Sequence, residues 1–360
     1  MTDDPLINIA DFEKAAEQRL PRPTFDYYAG GAADEVTLRE SRAAYERIPL
    51  YYRVLRGIDQ RSLATTVLNE RVSMPVLVAP TAFHRLAHDD GELATVRAAG
   101  AAGTIMIVST MSNTSIEDIS RAATGPVWFQ LYIYRDRRAT QDLVARVEAA
   151  GCRALVLTVD APLIGPRERD LRNQFTLPAG LTVRNLLGAG HGEMAATADG
   201  SGLHAYVTKF IDPTIAWADV EWLRSITRLP LVIKGIARAD DARRAVDAGA
   251  RAIVVSNHGG RQLDTSPATI DALPPIAEAV AGRAEIYIDG GVRRGTDVIK
   301  AIARGARAVL IGRPILWGLA VDGEPGARRV LDIFRSELDI ALGLCGHTNL
   351  DEIGPDLLRP

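Results

Sequence analysis

The chain has 360 residues, 47% of them hydrophobic and 24% charged, which suits a packed globular enzyme of one large domain or two ordinary ones and argues against disorder. Its 42 basic and 45 acidic side chains leave a formal net charge of −3, which excludes a broad attractive field for nucleic acid or acidic lipid. A local basic pocket for a small anion remains compatible with that balance. Cys152 and Cys345 lie far apart and form no CxxC unit, so they read as ordinary, partly buried thiols in a reducing cytoplasm.

In chain order, the opening residues carry acids where a signal peptide would be positive. The segment Ile9–Gln18 predicts a helix, with Asn8 or Asp11 available near its start, stopped by Leu20-Pro21. A short aromatic element follows, from Phe25 to Gly31, and Leu50–Leu68 has no clear pattern. From there short apolar runs alternate with Ala/Arg/Glu-rich helical patterns. The runs are Met74–Ala79, Thr104–Val108, Val127–Tyr132, Ala154–Val159, Leu231–Lys234, Ala252–Ser256, Ile286–Asp289 and Ala308–Ile311. Each is followed by a helix candidate, and Gly151, Gly249 and Gly305 sit where tight turns would lead into the next strand. Eight such units predict an α/β chain closed into a (β/α)8 barrel, with a short N-terminal helical extension. A doubly wound sheet is the rival, but the first run ends in Ala79-Pro80-Thr81 and lacks a GxGxxG turn. None of the runs, such as Met106-Ile107-Val108, approaches a membrane span.

One interval breaks the rhythm. Residues 172–212, after the fourth strand, are rich in Gly and Ala. A connection of that length is either a linker or a mobile active-site lid, and loops at the C-terminal ends of barrel strands favour the lid.

The strongest chemical signal is Ser256-Asn257-His258-Gly259-Gly260-Arg261-Gln262-Leu263-Asp264, which starts where a predicted strand ends. A histidine at a barrel mouth can exchange a proton near neutrality, and Arg261 offers a planar fork for a carboxylate. Ser109, Gln130 with Tyr132, Thr158, Lys234 and Asp289 end other strands, so several polar groups converge on one mouth. Lys234, carried out of an apolar strand, needs an electronegative partner if buried. Asp289-Gly290-Gly291-Val292-Arg293 and Ile311-Gly312-Arg313 follow the last two strands, where barrels place phosphate. No histidine pattern makes a convincing metal site; His84 and His88, four apart without the interior acid of a zinc helix, read as a solvated pair.

These segments, with Trp128–Tyr132 (WFQLY), Thr158–Pro162 (TVDAP) and Asp289–Asp297 (DGGVRRGTD), resemble the FMN-dependent 2-hydroxy-acid oxidase and dehydrogenase family from about Leu6 to Asp351. The resemblance implies a single domain over residues 1–360, with FMN as cofactor and a small 2-hydroxy acid as substrate. It implies that His258 is the base and that Asp160 supports the imidazolium. Arg167 and Arg261 then face the substrate carboxylate, with Tyr27 and Tyr132 on the substrate side. Lys234 corresponds to the lysine beside flavin N1 and O2, and Ser109, Gln130 and Thr158 to polar contacts of the ring. Asp289, Gly291, Arg293, Gly312 and Arg313 fall in the ribityl-phosphate region, and Pro80, Thr81 and Ala82 pass the other flavin edge. Whether the first proton leaves carbon or the hydroxyl stays open.

Departures from the family pattern bear on the substrate. Met111 stands where relatives often carry Trp, Phe83 where several have Met or Tyr, and Leu163 and Pro166 replace basic residues. A flexible thioether adapts its shape, so the expectation is a side chain larger than methyl: an aromatic acid such as mandelate or 4-hydroxymandelate, with lactate- or glycolate-like acids as the alternative. Ala82 matches the oxidase members, and the lack of a haem domain ahead of residue 6 disfavours cytochrome-linked ones. Molecular oxygen is therefore the expected acceptor, giving hydrogen peroxide, with a dehydrogenase using another acceptor as the alternative. The family also implies a homo-oligomer, a tetramer, with no nucleic-acid or membrane partner.

Overall fold

A computed structural model describes residues 5–194 and 201–359. Three helices precede the barrel: α1 (Ile9–Arg19), α2 (Arg22–Ala29) and α3 (Val36–Glu46). Asn8 and Asp11 both act at the start of α1. The Asn8 side chain accepts from the Asp11 backbone at 3.0 Å, and Asp11 accepts from that of Asn8 at 3.2 Å. The aromatic element at Phe25–Gly31 is helical rather than irregular, because Pro21 and Pro23 fit a first turn and Phe25, Tyr27 and Tyr28 bury their rings. An antiparallel hairpin starts at the end of the unassigned stretch and continues past it, β1 (Thr65–Val67) and β2 (Glu70–Val72). It is too short for a periodic signal.

Eight parallel strands then close a barrel, interleaved with helices. In chain order these are β3 (Val76–Val78), α4 (Gly91–Ala101), β4 (Met106–Ser109), α5 (Ile116–Ala122), β5 (Val127–Leu131), α6 (Arg137–Ala149) and β6 (Leu155–Thr158). α7 (Glu168–Arg172) precedes the long connection, which contributes α8 (Gly202–Phe210), and α9 (Trp217–Ile226) leads into β7 (Leu231–Ile236). The rest are α10 (Ala239–Asp247), β8 (Ala252–Val255), α11 (Thr269–Val280), β9 (Glu285–Asp289), α12 (Gly295–Ala303), β10 (Ala308–Ile311) and α13 (Arg313–Leu344). The predicted barrel with its N-terminal helices is therefore what forms. Gly151, Gly249 and Gly305 adopt positive φ at the turns into β6, β8 and β10. The last helix, α13, starts at Arg313 directly after β10 and breaks at Asp322-Gly323.

The period of two sorts the strand residues. One parity faces the helices: Val78, Val108, Phe129, Leu157, Ile233, Val255, Ile288 and Ile311 join the large outer core. The other parity fills the barrel with Leu77, Ile107, Trp128, Val156, Val232, Val254, Tyr287 and Leu310. Val67 and Val72 of the hairpin join this inner cluster, and β1–β2 thereby covers the end where the strands begin. Trp128 and Tyr287 meet inside with ring centroids 5.8 Å apart. Of the 172–212 connection, residues 195–200 lie outside the described residues. The described part holds a 3-10 turn at Arg184–Ala189 and α8. Among the described residues no helix is long and apolar enough to cross a membrane.

Candidate active site

Following the inward rows two residues further, past the apolar layer, reaches the polar residues that end the strands. Ile107 leads to Ser109 and Met111, Trp128 to Gln130 and Tyr132, and Val156 to Thr158 and Asp160. Val232 leads to Lys234, Val254 to Ser256 and His258, Tyr287 to Asp289, Leu310 to Gly312, and Leu77 to Ala79 and Thr81. A single cavity at this end is lined by Pro80, Thr81, Ala82, Ser109, Met111, Gln130, Tyr132, Thr158 and Lys234 on one side. The other side carries Tyr27, Leu163, Arg167, His258, Arg261, Asp289, Gly291, Arg293, Gly312 and Arg313. Two expected residues do not line it. Asp160 sits beneath His258, and Phe83 is fully buried behind Tyr27, with ring centroids 5.8 Å apart. Phe83 therefore shapes the wall only through Tyr27, because its left-handed φ of 61° turns it inward.

His258 follows β8 with φ 56°, and its backbone N–H donates to Ser256 Oγ at 3.0 Å, which holds the unusual turn. Its Nδ1–H donates to Asp160 Oδ1 at 2.7 Å, leaving the Nε2 lone pair for the cavity. Burial lowers the His258 pKa and the Asp160 carboxylate only partly opposes it, so the ring is neutral and basic at neutral pH. Burial alone would raise Asp160, but its pairing and hydrogen bond with His258 and the charge of Lys234 outweigh it and the carboxylate stays ionised. Asp160 fits because β7 bulges at Gly235, where the pairing with β8 shifts register. A Cβ there would lie 2.7 Å from the Asp160 side chain, and the φ of 112° already favours glycine.

Arg167 and Arg261 stand side by side. Arg261 Nη1 donates to the carbonyls of Tyr27 (2.6 Å) and Gly30 (2.8 Å), with the guanidinium 5.0 Å from the Tyr27 ring centroid. Tyr27 is itself stacked on Phe175 at 4.2 Å. Arg167 Nε donates to the Arg261 carbonyl at 3.2 Å, and burial together with the neighbouring Arg261 charge brings its pKa down to about 10. Two adjacent half-buried cations, neither salt-bridged to a carboxylate among the described residues, can receive an external anion. Gln262 ties this edge together. Its amide donates to the carbonyls of Asp160 (3.1 Å) and Leu163 (2.7 Å), and its oxygen accepts from Gly165 N–H (3.0 Å) and Arg167 Nη2 (3.3 Å).

The opposite end has a different donor set. Lys234 Nζ pairs with Asp289 Oδ2 at 3.0 Å and donates to Ser256 Oγ at 3.0 Å; burial alone would lower its pKa, but Asp289 and Asp160 together raise it. Asp289 thus answers the lysine's need for a partner. Arg313 donates to the carbonyls of Tyr28, Gly259 and Gly30 at 2.8–3.0 Å, and Arg293 to that of Val292 at 3.0 Å. Neither has a carboxylate partner among the described residues, and burial lowers the pKa of both. At Gly291 an added Cβ would fall 1.9 Å from the Ser41 carbonyl, so the turn after β9 closes tightly on α3. Gln130 Nε2, Thr158 Oγ1 and Asp289 Oδ1 are buried without a protein partner. Unsatisfied buried polar groups on the strand ends, with arginines anchored only to carbonyls at one end, fit a planar heterocycle carrying a phosphate tail.

Sequence reasoning singled out neither Ser256 nor Gln262, although both sit in the SNHGGRQLD segment. It also missed Leu203 and Val207 of α8 and Ile211 beyond it, which line the cavity; their signal is only tertiary. His84, read as solvated, is completely buried, because its two ring nitrogens find Thr81 and Thr95 inside the protein.

Known proteins agree with this geometry. A family profile described as FMN-dependent dehydrogenase matches residues 16–360. The chain is 51% identical over 357 residues to an L-lactate oxidase of Nostoc sp., covering 98% of each. It is 50% identical over 357 residues to 2-hydroxyacid oxidase 1 of Homo sapiens, covering 98% of this chain and 96% of that one. A crystal structure of mandelate oxidase with (S)-4-hydroxymandelic acid superimposes with a TM-score of 0.92 at 43% identity, covering 96% of each chain. The chain therefore belongs to the FMN-dependent 2-hydroxy-acid oxidase and dehydrogenase family and is an FMN-binding oxidoreductase.

Proposed function

We propose that this enzyme oxidises an aliphatic S-2-hydroxy acid of the lactate or glycolate type to the 2-keto acid, with molecular oxygen as electron acceptor and hydrogen peroxide as second product. The observation that carries the reaction type is the Asp160–His258 pair opening onto a cavity whose same wall holds Arg167 and Arg261. The two arginines take the substrate carboxylate and thereby fix the α-carbon in front of the base. His258 Nε2 removes a proton from the substrate, and Asp160 stabilises the imidazolium that results. Tyr27 and Tyr132 form the substrate-side wall, and the buried Tyr132 hydroxyl, its pKa raised to about 12, stays a donor throughout the working range. Bound FMN supplies the two-electron acceptor. Ser109, Gln130, Thr158 and Lys234 would hold its ring, with Pro80, Thr81 and Ala82 along the other edge. Asp289, Gly291, Arg293, Gly312 and Arg313 would hold its ribityl-phosphate tail.

The substrate side chain meets Met111, Leu163, Leu203, Val207 and Ile211, an apolar wall. That wall suits an alkyl group, and the relatives at 50–51% identity are named for lactate and 2-hydroxy acids. The adaptable Met111 wall and the close superposition on mandelate oxidase support an aromatic acid as second reading. Residues 172–212 act as the lid of this wall, within a single domain. A tetramer belongs to the same reading, and light scattering of the purified protein tests it.

The test is a panel of lactate, glycolate, 2-hydroxybutyrate, S-mandelate and S-4-hydroxymandelate, following flavin bleaching without oxygen and peroxide after its admission. The expected result is a kcat/KM for an aliphatic acid at least about tenfold above that for mandelate, with one peroxide per keto acid. A tenfold preference in the other direction transfers the assignment to aromatic acids. Bleaching that air does not reverse transfers it to a dehydrogenase.

A further inference from the structure

We propose that His84 is a positioning residue for the cofactor, holding the Thr81 hydroxyl so that its lone pairs, and not its proton, face the cavity. The inference rests on Thr81 standing beside bound FMN, as the cavity lining supports.

His84 has no part in the chemistry above, yet it is wholly buried and both ring nitrogens are used. It lies in the 3-10 turn His84–Leu86, directly after Phe83, and its backbone N–H donates to Glu92 Oε1 at 3.2 Å. That carboxylate is fixed in turn by the Asn113 N–H (2.9 Å) and the Thr114 hydroxyl (2.8 Å), so the turn cannot slide. His84 Nδ1 lies 2.9 Å from Thr95 Oγ1, and His84 Nε2 lies 2.7 Å from Thr81 Oγ1.

The direction of these bonds follows from the far end. Thr95 is inside α4 and its hydroxyl donates to the Gly91 carbonyl at 3.3 Å, the usual destination for a helical threonine. Its oxygen therefore accepts from His84 Nδ1–H. Burial keeps the ring neutral, so it has one N–H only. Nε2 is then an acceptor, and the Thr81 hydroxyl must donate its proton to it. What Thr81 has left is acceptor capacity, directed at the N–H and O–H groups that a flavin carries. The opposite tautomer would turn the Thr81 proton outward and set a donor against those donors. A buried chain of four groups thus decides whether one wall atom attracts or repels the cofactor.

Apo-protein is titrated with FMN, following quenching of flavin fluorescence, for the wild type, Thr81→Val, His84→Leu, the double variant and His84→Gln, each with a melting curve. Thr81→Val and His84→Leu should each raise the FMN dissociation constant roughly tenfold, and the double variant no further than either alone. His84→Gln, whose amide oxygen can accept from Thr81, should return to within about threefold of the wild type. Additive losses in the double variant, or a His84→Gln protein that folds but binds FMN as weakly as His84→Leu, overturn the proposal. If His84→Leu does not fold, the decision passes to 15N spectra of histidine-labelled holoenzyme, with the His84 signal identified by its loss in His84→Gln. A neutral ring protonated on Nδ1 is expected; protonation on Nε2, or on both nitrogens, overturns it.

Discussion

The two ends of the barrel are built from the same eight inward rows of side chains, and they differ in what happens to hydrogen-bonding capacity. At the end where strands begin, Trp128, Tyr287 and small aliphatic residues fill the bore, with a hairpin across it. At the other end the rows continue as Ser109, Gln130, Thr158, Lys234, Ser256 and Asp289, and several of their atoms have no protein partner. The first end is a core layer whose worth is packing. The second spends packing on groups that only a ligand completes. Within it a further contrast holds: the His258–Asp160 edge is internally paired, whereas Arg293 and Arg313 are anchored by carbonyls and keep their charge for an anion.

The largest expected effect breaks the comparison at the paired edge. His258→Ala should bind FMN normally and lose about 10⁴-fold in the rate of flavin bleaching by substrate; stopped-flow reduction at the wild-type rate would remove His258 from the mechanism. At the packed end, Trp128→Ala should cost about 3–5 kcal/mol of stability, read as a fall in denaturant midpoint. FMN affinity of the folded fraction should be unchanged, and a selective loss of flavin binding would mean that the two ends are not separable. Arg261→Lys should lower kcat/KM about 10²-fold, mostly through orientation of the carboxylate, since a lysine cannot keep the fork and the two carbonyl anchors together. Unaltered kinetics would show that Arg261 binds no carboxylate.

Asp160→Asn should have the smallest effect on rate, about tenfold, but it carries a sign. The base works neutral, so activity rises with pH through the His258 pKa. Burial lowers that pKa and the Asp160 charge opposes the fall. Removing the charge should move the acid limb of kcat/KM to lower pH while the plateau drops. A limb that moves to higher pH would contradict the assigned pairing.

Much of this was legible in the chain itself. The count of βα units, the SNHGGRQLD loop and the polar strand ends were readable because each depends on local spacing: a period of two, a turn glycine, a residue type at a strand terminus. The helix at Arg22–Ala29 was missed since its aromatic run lacks a polar face, and the hairpin at Thr65–Val72 because three-residue strands have no period to detect. Phe83 was placed in the pocket and is instead one layer behind it; a single left-handed backbone angle made the difference.

By itself the sequence determined the barrel and which residue types stand at its strand ends, among them His258, Arg261 and the glycines after the last two strands, because those are properties of element order and residue type. Only the tertiary structure decided what each polar atom is paired with. Lys234 meets Asp289, Gly235 makes room for Asp160, Gln262 ties two loops, and His84 lies buried between two threonines. Apart from those of His84, these pairings join residues far apart in the chain, Asp160 and Gln262 by 102 positions. Burial, which raises the cost of any group left unpaired, is a property of the folded chain and not of its order.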